Sequence, residues 1–147
     1  MNILLFELAA LRAAGPLTFA IICLMIAYYD FKYYVIPNEL VLAGIAIRFL
    51  WPFNLARAFL IAILFTGILI VFSVLIWIIT KKRIGIGDFK LMFMLSLFAD
   101  LEQNIMGLFI ALLTTGIVLF IKKEKIIAFA PFLVFGWGMQ FFYNVVK

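Results

Sequence analysis

Residues 55–80 read LARAFLIAILFTGILIVFSVLIWIIT, and Lys81-Lys82-Arg83 follows directly. Arg57 is the single charge in that stretch. A helix rises about 1.5 Å per residue and a bilayer's hydrocarbon core is about 30 Å thick, so roughly 20 apolar residues make one crossing. Leu55–Thr80 therefore reads as a spanning helix with a basic anchor at its end. The rest of the chain has the same character: of 147 residues, 69% are hydrophobic and 13% charged, where a soluble domain is about half apolar and a quarter charged. One globular core would leave much of that apolar surface in water, so an integral membrane protein is expected. At ~20 residues per crossing there is no room for a separate soluble domain, and residues 1–147 read as one transmembrane domain.

Outward from that helix, short polar clusters divide the remainder into five more apolar segments, without long linkers. The first runs through Pro16 to Tyr29 and meets Asp30-Phe31-Lys32-Tyr33-Tyr34. The second opens at Pro37, whose fixed φ suits a helix start, and closes near Trp51-Pro52. The fourth, about residues 85–99, is short and ends at Asp100-Leu101-Glu102-Gln103-Asn104. The fifth, 105–121, stops at Lys122-Lys123-Glu124-Lys125, and the sixth, 126–146, is interrupted by Pro131, Gly136 and Gly138. The expected fold is all-α, with six transmembrane helices.

Charge orients this plan. Lys32, Lys81, Lys82, Arg83, Lys90, Lys122, Lys123 and Lys125 fall on one side, and Arg12, Arg48, Arg57 and Lys147 on the other. Basic loops stay in the cytoplasm, which puts both termini outside and makes this a multi-pass protein of the cytoplasmic membrane. The net charge of +5 then anchors loops beside anionic lipid and does not mark a nucleic-acid surface. Arg48, late in the second segment, either snorkels or needs a partner, for which Glu7 is nearest by topology. No short basic-then-apolar start with a small-residue cleavage site marks a secretory signal. The lone Cys23 permits neither an internal disulfide nor a CxxC zinc site, and the chain has no histidine. No metal or cofactor is expected; chemistry is left to carboxylates, lysines, hydroxyls and backbone.

Two aspartates stand out. Asp30 ends a segment running inward and Asp88 opens one running outward, so the parity of crossings brings both to one membrane face. The bland reading of either is a solvated loop charge or a helix cap. Beside Asp88, however, Gly85-Ile86-Gly87-Asp88-Phe89-Lys90 opens an apolar helix with two glycines, which allow close backbone approach and unusual φ/ψ. Gly-x-Gly alone equally marks a helix contact or a turn. Two carboxylates a few ångströms apart resist ionising together and share one proton near neutral pH. The charged member draws a proton from water while the protonated one donates to a carbonyl oxygen, which hydrolyses a peptide without histidine, metal or serine. Both protonations belong to the pair. The same carboxylates beside a glycine break also suit an ion- or proton-coupled transporter component, the alternative reading.

At these residues the chain resembles the bacterial type IV prepilin peptidases. Asp30-Phe31-Lys32-Tyr33-Tyr34-Val35-Ile36-Pro37-Asn38 is similar to their D-x6-P-D/N segment, and Gly85-Ile86-Gly87-Asp88-Phe89-Lys90-Leu91 to their GxGDxKL motif. Phe129-Ala130-Pro131-Phe132-Leu133-Val134-Phe135-Gly136 is similar to the family's FGPFLALG stretch. The resemblance runs from about residue 15 onward and implies a six-helix intramembrane aspartyl protease. It would remove the leader of prepilin or pseudopilin substrates at the cytoplasmic face. Carried over by motif, Asp30 and Asp88 are the catalytic pair; Gly85, Gly87, Pro37, Asn38 and Pro131 shape the cleft. Lys90 tunes the pair, grips substrate or anchors its helix.

The departures are specific. The resemblance implies a short form, without the N-terminal CxxC…CxxC zinc region and the N-methylation that many members carry. Ala130 stands where the family usually has glycine, and Ala128 where it often has proline. The YYD and GxGD pairing also resembles presenilin and signal peptide peptidase, but Ile36-Pro37-Asn38 and the compact length favour the prepilin branch.

Overall fold

The computed structural model describes residues 2–49, 54–80, 85–122 and 128–146, and every regular element among them is an α-helix. They are α1 (Asn2–Tyr33), α2 (Asn38–Phe49), α3 (Leu55–Thr80), α4 (Ile86–Ser96), α5 (Leu101–Lys122) and α6 (Ala130–Val146). The order is the expected one, and α3 has the bounds read from its apolar run. Ala14–Tyr33 and Leu101–Val118 are long and apolar enough to cross a membrane. The 11 residues of α4 make only about 16 Å of helix.

Each helix buries a narrow stripe. On α1 it is Ile22, Ile26 and Asp30, on α3 Ala58, Ala62 and Phe65, and on α5 Asn104, Gly107 and Ala111. These spacings of three, four or seven residues keep the side chains on one face. Central α4 is different: Leu91, Met92, Met94, Leu95, Ser96 and Leu97 are all buried, because α2, α3 and α6 all pack against it. The outward faces are apolar, with Leu60, Ile63, Ile68 and Val71 exposed on α3 and Phe109, Ile117 and Phe120 on α5.

Glycines set two close crossings. A Cβ on Gly44 of α2 would strike the Met94 sulfur of α4, and one on Gly136 of α6 would strike the backbone carbonyl oxygen of Gly107 on α5. At the second crossing Trp137 lies over Gly107 and its Nε1–H donates to buried Asn104 Oδ1 at 2.8 Å.

Several boundaries differ from the sequence reading. α1 continues past Tyr29 to Tyr33 and ends where Tyr34, at φ 54°, donates its N–H to the Asp30 carbonyl at 2.8 Å, a left-handed helix stop. α4 stops at Ser96, short of Ala99. α5 starts four residues earlier than expected, at Leu101. Gln103 Oε1 accepts the Asp100 N–H at 3.0 Å, a side-chain cap that turns a polar cluster into a helix start. α6 is unbroken from Ala130 to Val146: Pro131 lies in its first turn, where no N–H is missed, and Gly136 serves the crossing with α5. Residues 126 and 127, Trp51 and Pro52 lie outside the described residues.

Arg48 does not reach outward. It is 5% exposed, its Nε donates to the Leu97 carbonyl at 2.7 Å, and its guanidinium stands 5.8 Å from the Phe98 ring centre. The Glu7 side chain is outside the described set.

Candidate active site

The end of α1 and the starts of α2, α4 and α6 gather at one end of the bundle. Asp30 is the last member of the buried stripe Ile22–Ile26–Asp30, so the i, i+4 spacing that seats α1 also turns this carboxylate inward. It is 6% exposed. Its Oδ2 accepts the Ala130 N–H at 2.9 Å, so a carboxylate from α1 satisfies the first amide of α6. An anion at a helix N-terminus meets both unpaired N–H groups and the positive end of the helix dipole.

Asp88 sits in the first turn of α4 and is half-buried. Its own N–H bonds the Gly85 carbonyl at 3.1 Å. The Asp30 charge bears on Asp88 as a smaller effect beside the burial of Asp88 itself. The packing of α1 and α4 against α6 sets the two aspartates at the same end of the bundle.

The two glycines act through space and not through unusual backbone angles. Gly85 has φ −65° and ψ 136°, open to any residue, and no described glycine has a positive φ. A Cβ on Gly85 would instead stand 3.3 Å from Asp88 Oδ2, and one on Gly87 3.3 Å from Ile36. The bare backbone at Gly87 is what lets the α1–α2 connection press against α4.

Lys90 and Asn38 join the two motifs directly: Lys90 Nζ donates to Asn38 Oδ1 at 2.9 Å. Pro37 precedes α2, and its carbonyl takes the first helical hydrogen bond, from Val41, at 3.3 Å. Pro131 follows the amide that holds Asp30. Every candidate site residue named from the sequence therefore lies at this end, with Asp30 buried and the Lys90–Asn38 pair at the surface.

Two contributors escaped the sequence reading. Ala130 donates through its backbone, which leaves no side-chain mark, although the proline after it signals a helix start. Ile36 enters the sequence reading only as part of Ile36-Pro37-Asn38, with no packing role, whereas here it lies against Gly87. Among the described residues no group of three potential metal ligands comes together.

A sequence profile of the type IV leader peptidase family matches residues 17–120. That span holds Asp30, Pro37, Asn38, Gly85, Gly87, Asp88 and Lys90, and stops short of Ala130 and Pro131. No curated protein and no solved structure gives a match to the chain.

Proposed function

The chain belongs to the type IV leader peptidase family, and on that premise we propose that it is an aspartic endopeptidase removing leader peptides from prepilin-like or pseudopilin-like proteins at the cytoplasmic face of the inner membrane. The observation that carries the reading is the buried Asp30 carboxylate, held by the Ala130 N–H within range of the Asp88 charge. The pair shares one proton. Its ionised member takes a proton from the attacking water as the O–C bond forms, and its protonated member donates to the carbonyl oxygen. Collapse of the tetrahedral intermediate breaks the C–N bond, and the amine leaves with a proton returned by the pair. The reaction draws on no metal and no cofactor.

The apolar outer faces of α3 and α5 and the two long apolar helices support a multi-pass protein in lipid, with six crossings. Lys32 and Lys90 at the site end support its cytoplasmic position. No observation among the described residues favours transport.

Purified protein should cut a prepilin-type substrate to two products by mass spectrometry. Asp30→Asn and Asp88→Asn should each abolish the cut while the protein still purifies and unfolds cooperatively. Full turnover in either variant would overturn the mechanism.

A further inference from the structure

Beside the candidate dyad, an open groove of about 520 Å3 runs between α2, α3 and α4. Its walls are apolar, with Leu42 and Ile45 on α2 and Phe89 and Phe93 on α4, and the Lys90–Asn38 pair closes its head. Thr66 of α3 also lines it. This threonine is 9% exposed, and among the described residues its Oγ1 is buried with no hydrogen-bond partner. Helical hydroxyls normally bond the carbonyl one turn back, as those of Thr18, Thr114, Thr115 and Ser96 do here. Thr66 departs from that habit in a groove whose lining includes Phe89, the residue next to Asp88.

Its depth is set by the helices around it. α3 and α4 run antiparallel, and the Phe59 and Phe93 rings stand 6.2 Å apart. Seven residues further along α3 is a rise of about 10 Å, which brings Thr66 level with the first turn of α4, where Asp88 lies. A peptide bond can be cut only where the chain is unwound, and unwinding in an apolar setting frees N–H and C=O groups that must find partners. A lipid acyl chain would leave the Thr66 hydroxyl unpaired; an unwound peptide pairs it.

We propose that this groove receives the unwound head of the substrate's apolar segment, with Thr66 as the positioning residue that hydrogen-bonds one of its freed backbone groups. The inference rests on the peptidase reading above. Leu42 and Ile45 then hold the apolar side chains that follow, and the Lys90–Asn38 pair marks where the chain turns toward the dyad.

Steady-state cleavage of a prepilin-type protein by the full chain in detergent tests it. Thr66→Val keeps shape and loses the hydroxyl, and should lower kcat/KM about tenfold, while Thr66→Ser stays within about twofold of native. The opposite pattern, valine native and serine impaired, would reduce Thr66 to packing and overturn the proposal. Leu42→Trp fills the groove and should raise KM at least about fivefold, whereas Ile117→Trp, in an apolar depression lined by α5 alone, should not. An unchanged KM in Leu42→Trp would give the groove to lipid and equally overturn it. A wild-type chain that cuts nothing in the same assay sinks the peptidase reading itself, which separates the two failures.

Discussion

At Asp30 one side chain meets a structural demand and, on the proposed mechanism, a chemical one, and the two are separable by substitution. Its Oδ2 takes the buried Ala130 N–H. An asparagine Oδ1 in the same place accepts that hydrogen bond, so Asp30→Asn should lose turnover with little loss of stability. Asp30→Ala removes the acceptor and leaves a buried amide unpaired, which costs about 1–3 kcal/mol. Thermal unfolding of the two variants in one detergent checks this: the alanine variant should melt clearly below the asparagine variant, and coincident curves would show that the hydrogen bond contributes nothing. That Asp30 and Asp88 stand at one end of the helices was legible in the sequence, because residue type and the order of the helices are both written there. What holds Asp30 was not, since a backbone donor carries no residue-type signal, and neither was Thr66, whose significance lies in a hydrogen bond it does not make.

Among the elements, the α5–α6 pair decides where the first turn of α6 stands, and glycine decides how closely that pair packs. A Cβ at Gly136 would meet the Gly107 backbone, which no rotamer change can clear, while Gly138 has nothing within 4 Å. Gly136→Ala should therefore destabilise by about 1–3 kcal/mol, the usual cost of overpacking. Because Ala130 rides on the same helix, Gly136→Ala should also lower cleavage. Gly138→Ala should be neutral or stabilise by up to about 1 kcal/mol through helix propensity. Melting temperature and turnover measured on both variants check the pair, and equal behaviour would remove the crossing from the account. The sequence reading took both glycines as breaks, as local propensity suggests. Propensity does not know the neighbouring helix: a glycine that costs backbone entropy in isolation is retained where two backbones touch. The same blindness put the start of α5 too late, because the Asp100–Gln103 pair reads as polar loop until the hydrogen bond between them is seen. The long apolar run of α3 has no such competitor, and its ends fell where the sequence puts them.

For the whole molecule, the remaining question is which end faces the cytoplasm, and the packing sharpens the charge argument. Of the basic residues counted on the far side, Arg48 is buried against the Leu97 carbonyl, and exposed Arg57 stands 3.5 Å from Asp100. Lys32 and Lys90 at the site end are exposed. A buried, hydrogen-bonded guanidinium is a poor anchor for a headgroup, so the bias toward a cytoplasmic site end is stronger than the bare count. Cys23 is 5% exposed, which leaves the native chain a quiet background for thiol labelling. Val35 and Ile86, 59% and 75% exposed at the site end, and Leu101, 48% exposed at the other, are the positions to use. In intact spheroplasts an impermeant maleimide should label Leu101→Cys and spare Val35→Cys and Ile86→Cys. After permeabilisation all three should react. Labelling of Val35→Cys or Ile86→Cys from outside would put both carboxylates on the external face and overturn the proposed cleavage at the cytoplasmic face.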